Sequence, residues 1–234
     1  MQGFGEESLL DWAGPLLWGA LTTLEIALLS YALGLLLGLL GAVAKLSGRA
    51  PMVGLATLYS TVVRSIPELL LIILLYYAGS RLLESLLRDL GFDVTVNISG
   101  FVAAVGVLAF VQGAYMTEVF RGAINAIPKG HIEAADAFGL SRWQRFRRIV
   151  LPEMLPNALP GLSNLWLILV KDTALVSVVG FEELFFTAQQ AAASTRSYFV
   201  FYTAAGALYL VMTLGSNVVF QRTERFVRRG QRGV

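Results

Sequence analysis

The chain has 234 residues, 56% of them hydrophobic and 15% charged, with a formal net charge of +2 and a mean hydropathy of +0.67. That balance is too apolar for a water-soluble domain and predicts an integral membrane protein, the small positive excess reporting membrane topology and anionic lipid rather than nucleic acid. Zero cysteines exclude disulfides, thiol chemistry and cysteine-ligated metal, and His131 as the single histidine excludes a histidine-rich metal centre.

Met1 to Asp11 carries Glu6, Glu7 and Asp11 but no Lys or Arg, so the basic start of a signal peptide is not expected. From there the pattern predicts one all-α transmembrane domain over 1–234 with about five transmembrane helices. The first runs about from Leu16 to Ala44 and is interrupted by Glu25. The second, about Leu69 to Leu83, follows Pro67, and the amphipathic stretch Val53 to Val63 can extend its start. The third is about Ile98 to Phe120, the fourth a proline-broken Met154 to Val170, and the fifth Phe199 to Phe220. At ~1.5 Å per residue each can cross about 30 Å of hydrocarbon, the short second and fourth with help from neighbours. Gly34, Gly38 and Gly41 in the first span read as close helix packing.

Basic residues set the orientation. Lys45, Arg49 and Arg64 follow span one; Arg121, Lys129, Arg142, Arg145, Arg147 and Arg148 follow span three; Arg222, Arg225, Arg228, Arg229 and Arg232 follow span five. Only Arg81, Arg88, Lys171 and Arg196 fall on the other side, 4 against 14, which predicts the N-terminus outside and the C-terminus inside. Trp12, Trp18, Tyr76, Tyr77, Tyr198 and Tyr202 then form an outer aromatic belt.

Between spans three and four, a loop of about 121–153 is charged and carries helix signals. Ile132, Ala135, Ala137 and Phe138 lie in a short helical pattern, and Gly139 stands where a C-terminal cap needs positive φ. Ser141 and Gln144 form a capping box that opens a second helix. Ala134 and Ala135 leave room for another surface to come close, and Glu133 and Asp136 place negative charge in the first turn. The same pattern also suits an ordinary surface helical hairpin. The chain has no phosphate-cradling loop of its own, because its three lysines follow Ala44, Pro128 and Val170 and none completes Gly-Lys-Ser/Thr.

Glu133-Ala134-Ala135, Gly139, Ile149, Leu151 and Pro152 have the spacing of the EAA motif of ABC importer permeases, and Pro128-Lys129-Gly130-His131 resembles the polar amino-acid branch of that family. Arg64-Ser65-Ile66-Pro67-Glu68 is similar to that branch's Arg-Gly-x-Pro-x segment, with Ser65 in place of the usual glycine. Ala114-Tyr115 through Glu118 to Arg121-Gly122 resembles its third span, and Ala158-Leu159-Pro160-Gly161 through Asn164 to Lys171-Asp172-Thr173-Ala174-Leu175-Val176-Ser177 its fourth. The likeness extends from about Gly19 to Arg225 and is greatest to the permeases of histidine/lysine/arginine/ornithine-type importers.

The resemblance implies a type I ABC importer permease fold in a bacterial cytoplasmic (inner) membrane. It implies a permease subunit, not an enzyme, that imports polar, basic amino acids by alternating access. Implied partners are a second permease subunit, a sister chain favoured over a second copy, two cytoplasmic ABC ATPase subunits and an external solute-binding protein. ATP and Mg would sit on the ATPases, with no cofactor on this chain. Glu133, Ala134, Ala135, Phe138 and Gly139 would make the ATPase-coupling contact. The basic stretch Arg142 to Arg148 would flank that contact or meet lipid headgroups.

The candidate substrate path comprises Glu25, Gln112, Asn164, Asp172, Thr173 and Ser177. An acid near mid-membrane such as Glu25 faces a path or a partner, or is protonated or hydrogen-bonded at a helix interface. Lys171 and Asp172 read as closing span four at the outer side, as a gate or as the interface itself. Asn164 follows a proline break, which membranes tolerate only where helices line a cavity or pack on protein. Glu118 and Arg121, one turn apart, read as a helical ion pair. The competing class is a self-sufficient secondary transporter or channel acting as a homodimer; a membrane-embedded enzyme lacks a metal-ligand cluster.

Overall fold

The computed structural model describes residues 9–90 and 99–228, and among them every regular element is a helix. In chain order these are α1 (Ala13–Leu46), α2 (Ala50–Ser65), α3 (Glu68–Asp89), α4 (Gly100–Asn125), α5 (Lys129–Ala137), α6 (Arg142–Arg145), a π-helical turn (Phe146–Val150), α7 (Leu151–Asp172), a 3-10 segment (Thr173–Val179), α8 (Leu184–Thr195) and α9 (Tyr198–Arg228).

Among the described residues four helical runs are long and apolar enough to cross a membrane: α1, α4, the continuous rod Arg142–Val179 and α9. α2 and α3 supply a fifth crossing if taken together, bent by 113° at their junction. The bend has a local cause. Ile66 precedes Pro67 and takes the extended conformation, φ −100° and ψ 138°, that the proline ring imposes on its predecessor. The total agrees with the five crossings expected.

The centre of the fold is the pairing of α1 with α4, and glycines set its distance. A Cβ built on Gly38 would lie 2.5 Å from the Cβ of Met116 and 3.0 Å from its carbonyl carbon, closer than two helices can approach with side chains in place. Gly34 and Gly41 face Gln112 and Thr117 along the same seam. Around it, Ile26, Ala27, Leu108, Trp166, Leu169 and Val176 form one buried cluster, and Met116, Phe120, Met154 and Ala158 a second. On the outer flanks Leu17, Leu21, Leu36 and Leu40 of α1 and Leu210, Val211, Leu214 and Val219 of α9 are exposed. Such surface needs hydrocarbon around it rather than water.

Span four differs from expectation. Pro156 and Pro160 lie inside α7 without breaking it, and the irregular backbone sits instead in the flanking π-turn and 3-10 segment. Each proline removes one donor from the ladder, and neighbours brace the helix. Asn157 Nδ2 donates to the Glu153 carbonyl at 3.1 Å, Tyr31 Oη to Leu162 at 3.0 Å, and Gln112 Nε2 to Leu165 at 3.3 Å. α7 ends at Asp172, as the sequence suggests, and the rod carries on beyond it as the 3-10 segment to Val179.

α8 was not anticipated. It is a short helix whose Leu184, Ala188, Ala191 and Ala192 are buried against Leu16 and Ala20 of α1 and Phe201 and Ala205 of α9.

Candidate functional site

Two regions gather the sequence candidates. The first is the elbow between α4 and α7. Pro128 precedes the first turn of α5, and the helix stops where Gly139 adopts φ +69°, with the Leu140 N–H reaching back to the Ala135 carbonyl at 3.1 Å in a Schellman closure. Ser141 then opens α6. Its Oγ accepts from the Gln144 N–H at 3.3 Å, while Gln144 Oε1 accepts from the Ser141 N–H at 3.0 Å, so the capping box forms as expected.

Two side-chain pairs fasten α5 in place. Arg145 Nη1 donates to both carboxylate oxygens of Asp136, at 2.5 and 2.7 Å. His131 Nδ1 lies 2.8 Å from both oxygens of Glu153 on the first turn of α7. Of the candidate contact residues, Glu133, Ala134, Phe138 and Gly139 are exposed, and Phe138 is 86% exposed. Ala135 is the exception. At 3% exposure its methyl faces inward, because α5 turns the Ile132 and Ala135 side towards its own protein, where Ile132 packs on the cluster of Met154 and Phe120.

Near the same end, Glu118 joins three helices. Arg121 Nε donates to its Oε2 at 2.9 Å, the helical pair expected, and Lys45 of α1 and Ser60 of α2 both meet its Oε1, Ser60 at 3.2 Å. This ties α1, α2 and α4 together beside the elbow.

The second region lies where the α2–α3 bend meets α4 and α7. The Asp172 carboxyl and that of Glu68, the residue just after the bend, are near enough to interact electrostatically, and Glu68 acts in the same way on Tyr115. The Arg64 guanidinium sits 5.6 Å from the centre of the Tyr115 ring. Lys171 adjoins Asp172. Two neighbouring carboxylates repel unless a positive charge offsets them. Asn164 and Lys171, seven residues apart, share the exposed stripe of α7, with Asp172 on its edge.

The remaining path candidates do not join this cluster. Glu25 stands exposed on the flank of α1. Gln112 is 3% exposed and spends its amide donor on the α7 carbonyl of Leu165, so it braces a helix seam instead of lining an opening. Thr173 and Ser177 are buried, their hydroxyls bonded to the carbonyls of Val170 and Ala174 one turn back, because the tight 3-10 segment turns them into the protein.

Sequence reasoning missed Glu68, Tyr115 and Arg64 as members of one cluster, and missed Glu183 altogether. Glu183 is fully buried at the start of α8. Its Oε1 accepts from the Phe186 N–H at 2.9 Å, and its Oε2 from Thr23 Oγ1 at 3.1 Å and from Tyr209 Oη at 2.8 Å. Burial pushes its carboxyl up from the usual range, against the downward pull of these donors. An acid before Leu184-Phe185-Phe186 carries a helix-start signal, but Thr23 lies 160 positions away and no local pattern connects them.

Comparison with known proteins gives the following. Residues 34–229 match the family described as binding-protein-dependent transport system inner membrane component. The chain is 44% identical over 217 residues to the histidine/lysine/arginine/ornithine transport system permease protein HisQ of Salmonella typhimurium, covering 93% of this chain and 95% of that one. It is 40% identical over 235 residues to the octopine transport system permease protein OccQ of Rhizobium radiobacter, covering 100% and 98%. Among solved structures, an amino acid ABC transporter crystallised with histidines superposes with a TM-score of 0.79 at 31% identity, covering 96% of this chain and 99% of that one.

Proposed function

Because the chain belongs to the binding-protein-dependent transport system inner membrane component family, we propose that it is the permease subunit of an ATP-driven importer of basic amino acids. The observation that carries this reading is the elbow: a capped helix clamped at both ends that presents an exposed Phe138 beside Glu133 and Ala134. In this reading the elbow faces the cytoplasm, as the basic-residue bias requires, and docks in a cleft of one of two ABC ATPase subunits. A sister permease supplies the other half of the path, and an external binding protein delivers the substrate. ATP and Mg are held by the ATPases.

This reading implies a mechanism. Closure of the ATPase pair moves the two elbows together, and the displacement enters the rod Arg142–Val179, which carries Asn164 and Asp172. The path then exchanges two rigid-body states. The Glu68–Asp172 pair is suited to a cationic side chain, which would neutralise two facing carboxyls at once. Glu25 shares the exposed face of α1 with Leu21, and an acid at that depth would meet the sister permease rather than lipid.

The test is reconstitution of the full complex in vesicles. ATP hydrolysis is expected to rise when the binding protein is loaded with L-arginine or L-histidine, with uptake strictly dependent on ATP. Uptake that persists without ATP and tracks an ion gradient would instead make the chain a secondary transporter.

A further inference from the structure

α5 is linked to the rod at two points, and these lie on opposite sides of its π-helical turn. Arg145, which takes Asp136, immediately precedes Phe146–Val150; Glu153, which takes His131, follows it on α7. His131 and Asp136 sit near opposite ends of α5, so each link grips a different end. Within the turn the Leu151 N–H bonds the Phe146 carbonyl five residues back. Such single turns hold an extra residue, are rare, and are places where a helix bends.

A displacement of α5 that reached the rod through α6 alone would have to pass this pliable turn. The His131–Glu153 bond goes around it and lands on the helix that bears Asn164 and Asp172. Ile132 packs on the apolar cluster that includes Phe120, Ala123 and Met154, which seats α5 against its own protein. The two side chains are 55% and 29% exposed, so the bond adds little to folding stability.

We propose that His131 and Glu153 are positioning residues for energy coupling, their bond serving as the strut that carries movement of the docking helix past the π-turn into α7. Asp136–Arg145 keeps α5 aligned with α6 while this happens. The inference rests on α5 being the ATPase-docking helix.

The test uses the reconstituted complex, with radiolabelled L-arginine and L-histidine as probes, and reads amino acid imported per ATP hydrolysed. His131→Gln and Glu153→Gln are expected to retain the ATPase on purification and to keep hydrolysis responsive to the loaded binding protein. Import per ATP should fall about fivefold or more, the scale of a coupling free energy between sites. The double substitution should be no worse than either single one, and His131→Lys, which places a donor opposite Glu153, should recover most of the ratio. An unchanged ratio in the single variants overturns the strut, as do losses that add in the double variant. Loss of the ATPase on purification also overturns it, by making His131 a docking contact. A wild-type complex whose uptake ignores ATP overturns the transport reading itself, and is recognised because no substitution is involved.

Discussion

Glu183→Ala is the most exacting test of the packing around the transport helices. The carboxyl accepts three hydrogen bonds from three segments: the Phe186 N–H at 2.9 Å, Thr23 at 3.1 Å and Tyr209 at 2.8 Å. Removing it orphans the two hydroxyl donors at about 1–3 kcal/mol each and leaves the Phe186 N–H, and with it the start of α8, without its acceptor, about 1 kcal/mol. Some of this is recovered, because Thr23 Oγ1 already accepts from the Leu184 N–H at 3.3 Å and both hydroxyls can turn towards other acceptors. A net loss of about 3–5 kcal/mol remains, large for one substitution. Glu183→Gln keeps the Phe186 bond and lets the hydroxyls accept from its amide, for a loss of about 1 kcal/mol. The assay is unfolding of the purified complex in detergent or nanodiscs. Tyr209→Phe should cost about 1 kcal/mol in the wild-type background and close to nothing beside Glu183→Ala. Additive losses, or an alanine variant as stable as wild type, would refute the three-way clip.

Other expectations are as direct. Gly38→Ala places a methyl on Met116 and should part α1 from α4, destabilising the protein by about 1–3 kcal/mol despite the better helix propensity of alanine, as read by the same unfolding assay. Phe138→Ala removes a ring that touches little of this chain, so stability should be unaffected while retention of the ATPase on purification falls; equal retention would remove the ring from the docking contact. Asp172→Asn and Glu68→Gln should leave assembly intact and reduce L-arginine uptake by roughly tenfold, more than that of neutral substrates, as the loss of a charged partner for a guanidinium implies. Uptake with unaltered preference in either variant would take the pair out of the path.

Much was legible in the chain itself. Hydropathy specified a helical membrane protein with about five crossings, because a backbone in hydrocarbon must satisfy its hydrogen bonds within each helix. Glycine and serine spelled out the elbow: the positive φ of Gly139 and the Ser141–Gln144 box depend on residues within four positions of each other. The glycines of α1 announced a close contact, although not its partner.

Tertiary structure decided which polar groups meet. Glu68 and Asp172 come together through the bend at Pro67, and Thr23, Glu183 and Tyr209 through the docking of α8 between α1 and α9. It also turned Ala135, Gln112, Thr173 and Ser177 inward, where one-dimensional polarity suggested a contact surface or a path. In a span that is apolar all round, periodicity cannot tell a face on lipid from a face on protein, so the facing of each side chain is settled by packing between helices distant in sequence.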